Sequence, residues 1–136
     1  SLIFVFIMYC LSLLMLTVFK SAEFFLPAIY QFEAWLGGDK LMHLKLSIVL
    51  SVLACFVVNK IKPDLPLNKF WRLALMQFFL LVCLLIDETH QYLAASRRFE
   101  WLDFYYGASG LLIGLSLYCA VLILNRAQKL VLKNGF

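Results

Sequence analysis

Charge is scarce in this chain. Only 15% of its 136 residues are Asp, Glu, Lys or Arg, while 64% are hydrophobic, against about 45–50% apolar in typical soluble usage. Mean hydropathy is +0.90. One domain of this length cannot hide that much apolar surface from water, so a soluble fold is excluded and the bilayer becomes the natural solvent. The net charge is a modest +4. Its Lys and Arg residues flank apolar runs and form no continuous stripe, so nucleic acid is not an expected partner. Four cysteines, Cys10, Cys55, Cys83 and Cys119, sit inside apolar runs. With no CxxC or other metal-ligand spacing among them, they are expected to be small core residues. A serine elbow, a glycine-rich phosphate loop and HExxH are all missing. No cofactor and no metal are therefore expected. There is no basic n-region and no small-residue cleavage site, so a removed signal peptide is not expected.

What is present is a set of long apolar runs. A spanning helix needs roughly 20 apolar residues. Residues 2–19, 41–58, 70–86 and 104–124 meet that requirement, which predicts an all-α bundle of four transmembrane helices in a single domain, 1–136. Lys45 lies one turn inside the second span, where its long side chain can snorkel. The link NKIKPDLPLNK, residues 59–69, is basic and proline-broken. Together with Arg72, Arg126, Lys129 and Lys133 it puts seven basic residues and one acid on one side of the membrane. The other side has five basic residues and seven acids. The positive-inside rule then places both termini and the link in the cytoplasm.

Between the first two spans, SAEFFLPAIYQFEAWLGG is too aromatic for a plain solvated loop. Phe24, Phe25, Tyr30, Phe32 and Trp35 suit a segment lying in the headgroup layer. Asp39 and Asp103 stand where the second and fourth spans need N-caps. In the fourth span Gly107, Gly110 and Gly114 line one helix face, and small residues let helices approach closely in lipid. That face predicts either packing within the chain or a seam for a membrane-protein partner or a second copy.

Half of the acidic residues fall in LLIDETHQYLAASRRFEWLD, residues 84–103. The topology brings this stretch to the same side as Asp39, Lys40 and His43. Asp39 and His43 are four apart and share a helix face, as Glu88 and Gln91 do at three apart. Ionisable groups at a membrane edge usually face the bundle interior or water. Lys40, Arg97 and Arg98 could anchor on lipid phosphates, or they could hold one anionic group within a single site. In the second case Glu88 and Asp103 would orient the arginines, and His43 could exchange a proton near neutral pH. Asp87 and His90 resemble half of a carboxylate-x-x-His metal site, a motif that usually needs a second copy.

The spacing of these residues resembles that of the VanZ-like family of small membrane proteins. DKLMH supplies Asp39, Lys40 and His43. ETHQ supplies Glu88 and Gln91, with Arg97 six residues on and Asp103 six beyond that. Gly110 and Gly114 match glycines of the family's last span. The likeness covers most of residues 38–117. It departs at Ala95-Ser96, where the family has Pro-Gly, at Gly107, where it has Asn, and in the extra cation Arg98. The resemblance implies a multi-pass protein of the bacterial plasma membrane, in a family linked to teicoplanin resistance.

Three functions are expected to compete. The first is a cell-envelope protein, with membrane lipids as its partners, whose outer face binds an anionic lipid-linked or glycan headgroup. Lys40, Gln91, Arg97 and Arg98 would contact the ligand, and Asp39, Asp103, Gly110 and Gly114 would hold the frame. The second is an enzyme acting on a lipid-linked phosphate, with His43 as acid–base and Glu88 assisting. The third is a structural or assembly subunit that docks a partner through its outer charges and glycine face.

Overall fold

The computed structural model describes residues 1–61, 66–94 and 98–135. These form five helices and no strand: α1 (Leu2–Ser21), α2 (Leu26–Trp35), α3 (Asp39–Lys60), α4 (Lys69–Leu93) and α5 (Trp101–Asn134). All but α2 are long and apolar enough to cross a membrane, and each contains one of the four predicted spans. Three run further than their apolar cores require. α4 continues past Ile86 and so carries Asp87 to Gln91 on regular helix. α3 begins at Asp39, and α5 runs ten residues past Leu124 to Asn134 with Arg126, Lys129 and Lys133 exposed. At 1.5 Å per residue α5 is about 50 Å long, well beyond a hydrocarbon core of about 30 Å.

The N-caps differ from those expected. Gly38 precedes α3 and Glu100 precedes α5, neither with a side-chain cap bond, so Asp39 and Asp103 lie within the first helical turns. An acid there still faces the positive end of the helix dipole. Gly37 and Gly38 join α2 to α3 at φ of 100° and 109°, values that L side chains rarely adopt. α2 exposes Phe32 and Trp35 while turning Ile29 and Glu33, four residues apart, toward the bundle.

α3 is the central helix. Of its apolar window 44% is buried inside the molecule, against 28% for α5, 6% for α4 and 0% for α1. Leu50 and Ala54 of α3, Leu80 of α4 and Leu111 of α5 form the core. The glycine face of α5 packs on α3. A Cβ at Gly110 would lie 2.4 Å from the Leu44 carbonyl oxygen, and one at Gly114 would lie 2.7 Å from that of Ile48. The fold thus uses Gly110 and Gly114 for close packing within the chain. Ser51 sits on the same seam, its hydroxyl 2.8 Å from the Leu111 carbonyl oxygen and 3.0 Å from Gln77 Oε1. Gln77, the polar residue inside the third span, also donates to Cys55 Sγ at 3.3 Å. Of the four cysteines only Cys55 is buried. Cys10 is half-buried, and Cys83 and Cys119 are exposed.

Candidate functional site

Helix ends assemble the polar cluster. α1 finishes with Lys20, α2 turns Glu33 inward, and α3 opens with Asp39, Lys40 and His43. α4 ends with Asp87, Glu88 and Gln91, and Glu100 and Asp103 lead into α5. Two lysines tie these pieces together. Lys20 Nζ donates to Glu33 Oε1 and, at 2.8 Å, to Asp39 Oδ1, joining α1, α2 and α3. Lys40 Nζ donates to Glu100 Oε2 at 2.8 Å and to Asp103 Oδ1 at 3.0 Å, joining α3 to α5. Glu33 and Asp103 are buried, and a buried carboxylate stays charged only when paired and hydrogen-bonded. Lys45 reaches back from α3 to donate 2.7 Å to the Leu36 carbonyl oxygen, so its snorkelling ends on the C-terminus of α2.

His43 stands between two of these carboxylates. Its Nε2 is 3.7 Å from Asp39 Oδ1 and 4.0 Å from Asp103 Oδ2, and this buried nitrogen makes no hydrogen bond. Glu88 and Gln91 are both buried at the end of α4, and Gln91 Nε2 donates to Asp87 Oδ2 at 3.3 Å. His90 is exposed, so Asp87 turns to Gln91 and does not pair with His90 as half of a metal site.

A cavity of about 300 Å³ lies between α1, α3 and α4. Lys20, His43, Asp87 and Gln91 line it among the polar residues, and the rest of its wall is mainly leucine, with Cys10, Cys83 and Met42. It follows α1 from Lys20 to Cys10, about 15 Å at 1.5 Å per residue. One end is therefore polar and the remainder apolar.

The residues expected at one site are distributed as follows in the structure. Lys40, His43, Asp39 and Asp103 converge, and Gln91 shares the cavity with His43. Lys40 is not a free cation, because two carboxylates hold it. Arg98 lines a separate surface hollow with Thr89, Tyr92, Phe99 and Trp101. Arg97, like Lys62 and Asp64 of the basic link, lies outside the described residues. Lys20, Glu33 and Glu100 join the cluster without having been singled out from the sequence. The signals for them were faint: a lysine ending the first span, an acid four residues after Ile29, and an acid three before Asp103.

Four helices fit to cross a membrane, with polar side chains gathered at one end of the bundle, define a multi-pass membrane protein. No family model, curated protein or solved structure matches the chain.

Proposed function

We propose that this protein binds a lipid in the membrane, seating its headgroup at the polar end of the α1–α3–α4 cavity and one hydrocarbon chain along the apolar wall. The cavity carries the proposal, because polar and apolar linings are continuous within one space. A soluble glycan would have no use for the leucine wall. The volume is at the small end of ligand pockets, about 300–1,000 Å³, and suits one chain rather than a whole two-chain lipid. The positive-inside rule puts the polar end on the outer face, with both termini and the 59–69 link in the cytoplasm. The exposed aromatic residues of α2 would then lie in the headgroup layer. Kinship with VanZ-like proteins of the bacterial plasma membrane belongs to the same proposal and rests on the sequence spacing.

The test is native mass spectrometry of the detergent-purified protein with a polyprenyl phosphate and with phosphatidylglycerol. Thr17 lines the cavity three residues before Lys20, near its polar end. Thr17→Trp should cut retention of the bound lipid at least tenfold while leaving the fold intact. Equal retention by the wild type and Thr17→Trp would sink the proposal. His43 faces the same cavity, which favours the enzymatic reading as second choice. Turnover of the polyprenyl phosphate, lost in His43→Gln, would establish it.

A further inference from the structure

The two lysines of the polar cluster face four carboxylates, Glu33, Asp39, Glu100 and Asp103. With every carboxylate ionised, the cluster is two positive charges short. Beside the deficit stands His43, whose buried Nε2 has no hydrogen-bond partner. The ligand atoms of Asp39, His43 and Asp103 all lie within 4.8 Å of one another. The separations of 3.7 and 4.0 Å from His43 Nε2 to the carboxylates are too long for hydrogen bonds. They lie close to the spacing a metal ion imposes: ligands about 2.0–2.1 Å from zinc stand about 3.4 Å apart in a tetrahedron. Lys40 takes Asp103 by Oδ1, leaving Oδ2 on the His43 side, whereas on Asp39 the oxygen nearest His43, Oδ1, is the one that also accepts from Lys20.

We infer that Asp39, His43 and Asp103 form a divalent-cation site, one imidazole nitrogen and two carboxylates on a metal such as zinc. Three protein ligands would leave a coordination position for a further ligand. His43 also lines the cavity, so an ion held there would sit beside it. The ion supplies the charge the cluster lacks. It also explains how an anionic headgroup could bind among carboxylates whose lysines are already engaged. That last role rests on the proposed lipid binding; the metal site does not. The set differs from the Asp87–His90 pair considered from the sequence, because Asp103 comes from a different helix.

The experiment uses the full chain in detergent, stripped with EDTA and titrated with Zn²⁺ alone and with Co²⁺ alone. The expected result is one equivalent of zinc by elemental analysis, and visible d–d absorption with Co²⁺. His43→Gln and Asp39→Asn should each weaken binding at least tenfold and shift or abolish the cobalt bands. His90→Gln, altering the other histidine, should change neither. Thr17→Trp should keep the metal while losing lipid, so failure of the lipid proposal and failure of the metal site give different results. No retained zinc in the wild type, or zinc binding unchanged in both His43→Gln and Asp39→Asn, overturns the inference. The cluster would then be a histidine set between carboxylates with no ion. Asp39→Asn provides the check should His43→Gln fail to elute as a folded species.

Discussion

The two sides of α3 are packed on opposite principles. Toward α5 the helices meet at van der Waals distance, with glycines and serines and no room for a methyl group at Gly110 or Gly114. Toward α1 and α4 the contacts are looser, bulky side chains stand apart, and a cavity of about 300 Å³ remains. In lipid, apolar side chains gain little from leaving one hydrocarbon phase for another. Close packing and interhelical hydrogen bonds must hold the helices instead. The α5 side has both. On the α1 side Tyr9 supplies a hydrogen bond, its hydroxyl donating 2.7 Å to the Leu46 carbonyl oxygen, and Lys20 clamps the helix end. One side thus carries rigidity, and the other has room for a ligand.

Enlarging a residue should separate the two sides most sharply. Gly110→Leu drives a side chain into the α3 backbone and should cost more than about 3 kcal/mol, seen as loss of the folded species in a denaturant titration in micelles. Thr17→Trp, a larger insertion on the cavity side, should change stability by less than about 1 kcal/mol. Equal losses for the two would erase the contrast.

The next largest effect falls on the polar clamps. Lys20→Met strands Glu33 and Asp39, with Glu33 buried, and should cost about 3 kcal/mol. Lys40 is more exposed than Lys20, 37% against 12% for the side chains. Lys40→Met should therefore cost only about 1–2 kcal/mol, most of it from leaving Asp103 unpaired. Thermal unfolding of the pair would expose a reversed order.

Ser51→Ala gives the smallest expected loss among the destabilising changes, about 0.5–1 kcal/mol, since it removes one hydroxyl, shared between the Leu111 carbonyl and Gln77, and little packing volume. A loss several times larger would mean that the Ser51–Gln77–Cys55 contacts act as a unit, and a double-mutant cycle with Gln77→Leu would measure that coupling.

Individual residues show how far the chain could be read without coordinates. The spans were legible because their apolar runs exceed what any loop or soluble helix carries. Lys40, His43 and Asp103 were legible as a group because topology forces alternate span ends to one side. The glycines of α5 were legible as a close-contact face, but which helix they contact was not. Glu33 was hidden, because an acid in an aromatic segment looks like one more solvated group. Only the pitch of α2 turns it toward Lys20. Cys119 was misread as core because apolar neighbours in a membrane helix face lipid as readily as protein, and Cys83 because an apolar run does not show where a cavity opens.

The sequence alone determined the solvent and the number of long apolar helices. Transfer of some 20 apolar residues into hydrocarbon is a local free energy, summed along the chain, and needs no knowledge of neighbours. It also determined that most charged residues would gather near span ends. Tertiary structure decided which of them meet. Lys20 joins Glu33 across 13 residues, Lys40 joins Asp103 across 63, and Asp103 comes within reach of His43. Those pairings depend on the rotation of each helix about its axis and on how closely α5 can seat against α3. Such contacts fall off within a few ångströms, so they exist only once the helices have packed.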